Sequence, residues 1–162
     1  MRYPCGYRND PRRKCNCSVP QVERYMSKIS GPLIDRIDLQ IEVPAVPFKE
    51  LTASQAGLSS ADIRAAVDAA RKVQTRRFGA VSKLRCNARM ATRHQRDFCK
   101  LDADSTTLLR ACMTEFGMSA RAHDKIIRVA RTIADLESSR DIQVQHIGEA
   151  INYRLLDRQL GK

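Results

Sequence analysis

The stretch GMSARAHDKIIRVARTIADLE, residues 117–137, carries apolar side chains at helical spacing with few exceptions. The stripe recurs at steps of three and four residues and consists of Ala122, Ile126, Val129, Ile133 and Leu136. The stripe is widened by Ile127, Ala130 and Ala134, and several other elements must cover the resulting face. The pattern predicts an amphipathic helix at the centre of a helical fold. The opposite, solvent-facing arc is expected to carry Arg121, Asp124, Lys125, Arg128, Arg131 and Asp135.

The start of this helix is signalled by Gly117 and by Ser119, whose hydroxyl can accept a hydrogen bond from an orphan backbone N–H. Arg121 follows in the first turn. The helix macrodipole disfavours a cation there by a few tenths of a kcal/mol up to about 1 kcal/mol. We therefore expect an anionic group close to Arg121.

The composition also favours packed helices. Aromatic residues make up 5% of the 162 residues and Trp is absent, so the core is expected to consist of Leu, Ile, Val, Ala and Met. The length suits one domain, or a small domain with an extension.

The formal charge is +11, and its excess lies in residues 60–100, with eleven basic and three acidic residues. Such a block can bind nucleic-acid phosphates or an acidic partner, or it can be a solvated helix face. The candidate nucleic-acid-binding residues are Arg64, Arg71, Lys72, Arg76, Arg85 and Arg89.

The apolar runs, the first residues and the cysteines predict the cellular compartment and the state of the thiols. No apolar run approaches the roughly 20 residues of a membrane span, and the first residues do not resemble a signal peptide. A cytoplasmic protein with reduced thiols and no membrane partner is expected. Cys5, Cys15 and Cys17 suggest a soft-metal site, but closed zinc sites have four ligands and a local fourth is missing. A loop of free thiols is the favoured interpretation, with zinc as the alternative.

The N-terminal part predicts one helix and one strand. A capping box of Ser18 and Gln21 begins the helix, and Gly31-Pro32 is expected to end it. Apolar and polar residues then alternate from Ile37 to Val43, which predicts a strand. One strand cannot satisfy its own backbone groups, so its sheet partners should come from elsewhere.

Residues 46–59 read as a linker between residues 1–45 and a helical domain over residues 60–162. Within that domain the first helix, Ser59 or Ser60 to Phe78, is expected to bury Ile63, Ala66, Val67, Ala70 and Val73. Thr92 is expected to cap the next helix, and Asp102 or Asp104 the one after it. The buried stripe of the last helix is expected to consist of Val144, Ile147, Ile151 and Leu155.

Independent catalysis is not expected of this chain. The sequence contains no G-x-x-x-x-G-K-[ST] phosphate loop, no Mg²⁺-binding Asp-Glu strand end and no nucleophile elbow. Its three histidines are far apart in sequence.

Three segments resemble one known family: ISGPLIDRIDLQIEVPAVPF, RFGAVSKLRCNARM, and MSARAHDKIIRVARTIADLESS followed by HIGEAINYR. They look like the C-terminal part of the magnesium-chelatase-like AAA+ ATPases of the ComM/YifB family. The resemblance covers nearly the whole chain. It implies a mainly α chain, in which a helical AAA+ lid with a sensor-2 residue follows the last helix and strand of an α/β AAA+ core.

The resemblance also implies roles for single residues. Arg36 in LIDRID resembles the arginine finger that reaches the nucleotide of a neighbouring subunit, and its alternative is an ion pair with Asp35 or Asp38. Arg121 resembles the sensor-2 arginine, and its alternative is a solvated side chain. The family's Cys-rich loop has paired cysteines at both ends, whereas this sequence has Tyr3 in place of the first.

The favoured interpretation is a lid module of an ATP-driven DNA-remodelling protein, inactive alone. In the full-length protein the resemblance implies ATP and Mg²⁺ as cofactors and DNA as partner. It also implies a homo-oligomeric ring, expected to be a hexamer, formed with the rest of the AAA+ core. The alternatives are a free-standing helical nucleic-acid-binding module and an adaptor for an acidic partner.

Overall fold

The computed structural model describes residues 4–7, 13–28, 30–41, 43, 46–48, 57–79 and 84–154. Helices in these ranges are α1 Val19–Met26, α2 Gly31–Ile34, α3 Ser60–Phe78, α4 Thr92–Phe98, α5 Ala103–Glu115, α6 Ala120–Leu136 and α7 Val144–Asn152. A 3-10 turn, Asn87–Arg89, lies between α3 and α4. The predicted mainly α class is confirmed. Among the described helices, none combines the length and apolar content that crossing a bilayer requires.

Helix α6 is the centre of the bundle, as its apolar stripe predicted. It contacts α3, α4, α7 and the 3-10 turn, while α5 packs on α7. The side chains of Ile126, Ala130 and Ala134 are completely buried. The apolar core around them contains Met90, Cys99, Leu109, Ile127, Ile133, Ile142, Ile147, Ala150 and Ile151. Leu136, which the sequence assigned to the stripe, is 46% exposed because it lies on the last turn.

The junction between α5 and α6 depends on Gly117. Its φ of 58° lies in the left-handed region, which costs glycine little. The Met118 N–H bonds to the Met113 carbonyl at 3.1 Å and the Gly117 N–H to that of Thr114 at 3.4 Å, so the end of α5 is a Schellman motif. Ser119 then caps α6 by accepting from the Ala122 N–H at 3.1 Å. The predicted start of the central helix is thus confirmed.

Arg131 and Asp135 correct the predicted solvent arc of α6. Both are buried, at 3% and 2% exposure. The Asp135 carboxylate accepts from Arg77 at 2.7 Å, from the Asn87 amide at 2.8 Å and from Arg131 Nε at 3.1 Å. The helix period correctly placed these residues opposite the apolar stripe. The prediction of exposure was wrong because α3 and the 3-10 turn cover that side of α6 as well.

Helix α3 is only half packed. Its C-terminal half buries Ala70 and Gln74, as the contact with α6 requires. Ile63 is 52% exposed and Val67 39% exposed, and Ala66 is exposed too. The predicted burial of these three residues is therefore wrong. Their apolar period is that of one continuous face, but the N-terminal half of α3 extends beyond the bundle that covers the rest.

The start of α5 agrees with the sequence prediction, and the start of α4 does not. Asp102 caps α5 by accepting from the Ser105 N–H at 2.7 Å, which decides between the two candidates. Thr92 is the first residue of α4 and not its cap, because the chain enters the helix at Ala91, whose N–H donates to His94 Nδ1 at 3.1 Å. The predicted Leu155 lies outside the described residues, and Val144 is 42% exposed.

The N-terminal helix begins as predicted, with the Ser18 N–H donating to Gln21 Oε1 at 3.0 Å. It ends at Met26, before the expected Gly31-Pro32 stop. Gly31 and Pro32 instead open the four-residue helix α2. Proline is well suited to a first turn, because its missing N–H has no helical partner there and its φ is already helical.

The strand predicted over residues 37–43 is not formed in its described part, residues 37–41 and 43. The Gln40 N–H bonds to the Tyr153 carbonyl at 2.9 Å, so this segment runs along the bundle. Its apolar side chains remain partly exposed, with Ile41 at 67%, and a cavity of about 370 Å³ lies between this segment and Val129 of α6. Alternation alone was insufficient, because a strand requires a backbone ladder, and the described residues offer none.

The buried carboxylate yields a test of what holds the bundle together. Asp135→Ala would leave two guanidinium groups without their shared acceptor, so we expect a loss of about 3–5 kcal/mol in the free energy of unfolding. Urea unfolding followed by circular dichroism measures it. The matched control is Asp124→Ala on the same helix, where the side chain is 38% exposed and the change should stay within about 0.5 kcal/mol. A loss below about 1 kcal/mol for Asp135→Ala would show that the network is not a stabilising element.

Candidate functional site

The N-terminus of α6 lies against residues 35–38, and the contact is made of charges. Ser119 Oγ donates to Asp35 Oδ1 at 2.8 Å. Arg121 Nη1 lies 3.7 Å from Asp35 Oδ2, and Arg154 Nη2 lies 3.8 Å from Asp35 Oδ1. One carboxylate thus faces a hydroxyl and two guanidinium groups. We call Ser119, Arg121 and Arg154 the α6 N-terminal site.

This site has a simple physical origin. The first N–H groups of a helix lack intrahelical partners, and together with the macrodipole they favour an anion. Arg121 adds a full positive charge at the same place, with 71% of its side chain exposed. The sequence led us to expect an anionic group close to Arg121, and the structure places the Asp35 carboxylate there.

Arg154 was missed by the sequence reasoning. It is the second residue after the end of α7 and is only 1% exposed, which is rare for an arginine. Its guanidinium donates to the Ile37 carbonyl as well as facing Asp35. A signal was present in the chain: Arg154 stands at the next helical step after the buried Ile147 and Ile151, so the period itself points it inward.

Arg36, the candidate arginine finger, is exposed. Its guanidinium donates to the Pro32 carbonyl at 2.8 Å, and its own backbone carbonyl accepts from Lys125. The alternative of a local ion pair is not observed, since Asp35 faces the α6 N-terminal site and Asp38 pairs with Lys125 at 2.8 Å. The two arginines that the sequence singled out, Arg36 and Arg121, therefore belong to the two sides of one contact.

The candidate nucleic-acid-binding residues are all exposed. Four lie on α3, and two flank or belong to the 3-10 turn: Arg64, Arg71, Lys72, Arg76, Arg85 and Arg89. Arg77 shows the contrast, because it points inward to Asp135. The structure thus leaves these six side chains accessible to a ligand.

The three N-terminal cysteines converge. The sulfurs of Cys5 and Cys15 are 3.4 Å apart, and all three sulfurs lie within 4.8 Å of one another. Two thiolates on one zinc ion are about 3.8 Å apart, as the Zn–S distance of about 2.3 Å in a tetrahedron requires. These residues therefore fit three corners of such a site. Among the described residues, no fourth histidine, cysteine or carboxylate joins them.

The thiols of this cluster are not equivalent. A hydrogen bond from the Tyr7 N–H, at 3.5 Å, holds the pKa of Cys5 below its ordinary value, with a further contribution from Cys17. The side-chain hydrogen bond between Cys17 and Cys5, followed by desolvation as the second cause, raises the pKa of Cys17 to about 11. Cys5 thus ionises more readily than Cys17, and thiolate is the form that a soft metal binds.

The family described as "Magnesium chelatase, subunit ChlI C-terminal" matches residues 57–154, which contain the bundle and the α6 N-terminal site. The chain belongs to the magnesium-chelatase-like family. A second description, "Magnesium chelatase, subunit ChlI", matches residues 2–51. The family resemblance that the sequence motifs predicted is confirmed.

Individual relatives agree with this membership. The uncharacterized protein YifB of Escherichia coli is 39% identical over 145 residues, which are 89% of this chain and 28% of YifB. The competence protein ComM of Haemophilus influenzae is 36% identical over 146 residues, 90% of this chain and 28% of ComM. An uncharacterized protein of Mycobacterium bovis is 26% identical over 151 residues, 93% of this chain and 30% of that protein. The chain thus spans little more than a quarter of the length of these relatives.

The three-thiol cluster predicts that the wild-type chain and the variant Tyr3→Cys differ in metal affinity. The wild-type chain should bind Co²⁺ at least tenfold more weakly than Tyr3→Cys, because closed tetrahedral sites use four ligands and the resemblance puts a cysteine at position 3. The thiolate-to-cobalt absorption bands measure binding. Adding Cys15→Ser to Tyr3→Cys should return the affinity towards that of the wild type. Equal affinities of wild type and Tyr3→Cys would contradict a site that lacks its fourth thiolate.

Proposed function

We propose that this chain is the lid and sensor part of a magnesium-chelatase-like AAA+ ATPase that uses ATP hydrolysis to remodel DNA. The observation that carries the proposal is the position of Arg121, a mostly exposed arginine in the first turn of a long helix. The resemblance of this chain to its family implies a sensor arginine at that position. It covers none of the buried core. Its positive charge opposes the helix macrodipole, and a bound phosphate would offset that unfavourable interaction.

The proposed role of Arg121 is recognition of a nucleotide phosphate. A planar guanidinium can donate two parallel hydrogen bonds to phosphate oxygens, and the α6 N-terminus would add its dipole. ATP and Mg²⁺ would be held mainly by the rest of the AAA+ core in the full-length protein. In this arrangement Arg121 stabilises the charge of the transferring phosphoryl group but positions no nucleophile.

Arg36 is proposed as the arginine finger. It would complete the site of a neighbouring subunit, since an exposed guanidinium can stabilise phosphoryl charge across an interface. A homo-oligomeric ring, such as a hexamer, is the assembly in which every subunit gives one finger and receives one. Cytoplasmic DNA would be the substrate, which the name of the relative ComM as a competence protein supports.

A free-standing nucleic-acid-binding module is the second candidate function. It is favoured by one observation: four basic side chains of α3, those of Arg64, Arg71, Lys72 and Arg76, are exposed. The two candidates differ in whether ATP turnover depends on this chain.

The sensor assignment is tested with Arg121→Ala. In the 162-residue chain the free energy of unfolding should change by less than about 0.5 kcal/mol, because the exposed 3.7 Å pair with Asp35 is weak. In the full-length protein kcat for ATP hydrolysis should fall by about a hundredfold or more, as on loss of one preorganised donor, and Arg121→Lys should restore it partly. Arg110→Ala, an exposed arginine of α5, is the matched control. Unchanged turnover in Arg121→Ala would remove the sensor assignment, and a loss of several kcal/mol in the chain would make Arg121 structural.

The basic side of α3 is tested by fluorescence anisotropy with a labelled DNA duplex. The triple variant Arg64→Ala, Arg71→Ala, Arg76→Ala should bind at least about tenfold more weakly at low salt, and the salt slope of log K should fall by about 0.9 for each lost phosphate contact. The matched triple variant Arg24→Ala, Arg110→Ala, Arg140→Ala removes the same charge from other exposed positions and should change binding less than about threefold. Equal losses in the two variants would show that only net charge matters.

A further inference from the structure

The Asp35 carboxylate lies where a phosphate at the α6 N-terminal site would have to bind. It accepts from the Ser119 hydroxyl at 2.8 Å and faces Arg121 at 3.7 Å and Arg154 at 3.8 Å. These are the donors that an incoming phosphate would use. Two negative groups cannot share them without strong repulsion, so a phosphate and Asp35 exclude each other at this site.

The same contact also holds the backbone of the candidate arginine finger. On one side of Arg36, Asp35 faces the α6 N-terminal site. On the other side, Arg154 donates to the Ile37 carbonyl and Lys125 pairs with Asp38 at 2.8 Å. Lys125 further donates to the carbonyl of Arg36 itself. Residues 35–38 are therefore fastened to the lid on both sides of the guanidinium that is to act elsewhere.

The strength of the contact suits a reversible element. The distances from Asp35 to the two guanidinium groups exceed those of direct charge-assisted hydrogen bonds, which are about 2.7–2.9 Å. The Asp35 side chain is 25% exposed, and that of Arg121 is 71% exposed, so an anion from solvent can reach the site. A phosphate carries more charge and more acceptor oxygens than a carboxylate and can compete for the same donors.

We propose that Asp35 is an intramolecular substitute for the nucleotide phosphate. The carboxylate occupies the α6 N-terminal site when no phosphate is there, and a bound phosphate displaces it and loosens residues 35–38. Occupation of a subunit's own site would thereby free its Arg36 to reach the neighbouring subunit. This regulation rests on the proposed function, in which Arg121 meets a phosphate. No covalent step is involved, because only ion pairs and hydrogen bonds are exchanged.

The test uses inorganic pyrophosphate as the probe and the 162-residue chain, at constant ionic strength set with chloride. Calorimetric titration gives the affinity, and ¹⁵N-resolved NMR reports the amides of residues 35–40. Asp35→Asn keeps the shape of the side chain and removes its charge. We expect this variant to bind pyrophosphate at least about fivefold more tightly. The reason is that the Asp35 carboxylate no longer occupies the α6 N-terminal site and no longer competes with the probe. In the wild type, pyrophosphate should shift the amide signals of residues 37–39 towards their positions in Asp35→Asn.

The matched control is Asp124→Asn, which removes the same charge near the start of α6 from a carboxylate that faces His123 and leaves Asp35 on the site. Its affinity for pyrophosphate should differ from that of the wild type by less than about twofold. Adding Arg121→Ala to Asp35→Asn should abolish the gain. An equal gain in Asp124→Asn would reduce the effect to general electrostatics and overturn the proposal.

Two further outcomes separate this proposal from the proposed function. Arg121-dependent binding with the same affinity in wild type and Asp35→Asn would leave the phosphate contact of Arg121 standing and overturn the role of Asp35. Failure of wild type and Asp35→Asn alike to bind pyrophosphate would overturn the role of Asp35, whereas ATP turnover of full-length Arg121→Ala decides the proposed function.

Discussion

A single buried carboxylate fixes how three parts of the bundle meet. Asp135 accepts hydrogen bonds from Arg77 on α3, from Asn87 on the 3-10 turn and from Arg131 one turn earlier on α6. Hydrophobic burial has no preferred direction, whereas these bonds are directional and costly to leave unmade. Arg131 extends the network by donating to the carbonyls of Ser139 and Arg140 at 2.7 and 2.8 Å, which positions the turn that leads to α7. The register between the helices, and hence the place of the α6 N-terminus, depends on this carboxylate.

Local pattern predicted the elements well where one segment contained all the information. The period and the cap of α6 depend on neighbours in sequence and were predicted correctly. The start of α3 and the cap of α5 each fall on one of the two residues that the sequence offered. The cap of α4 and the end of α1 were misjudged locally, whereas the other errors arose where a distant partner decides. Arg131 and Asp135 were assigned to solvent because the helix period shows which residues share a face but not which faces acquire a neighbour. Residues 37–43 alternate like a strand, yet Gln40 bonds to Tyr153, far along the chain, and no ladder forms in the described part.

In the candidate site, too, local sequence predicted some residues, and contacts with distant parts of the chain decided the others. The sequence singled out Arg121 from its conflict with the helix dipole, and Arg36 and Arg121 together from the family resemblance. It gave no reason to place Asp35 beside Arg121, because that proximity follows from how residues 30–41 lie on the bundle. Arg154 is the instructive omission. Its spacing from Ile147 and Ile151 pointed inward, but a charged residue in an apolar stripe is easily dismissed, and only the contacts with Asp35 and Ile37 show why it is buried.

The half of α3 that extends beyond the bundle has to maintain its own helicity. It is well equipped to do so: Ser59 accepts from the Asp62 N–H at 3.2 Å, alanines supply high intrinsic propensity, and Asp68 precedes Lys72 by four residues in the favourable order. Such local terms amount to tenths of a kcal/mol each, far less than tertiary packing contributes. A gradient of protection against opening therefore runs along one continuous helix, from a fraying end near Ser60 to an end at Arg77 that opens only when the whole bundle unfolds.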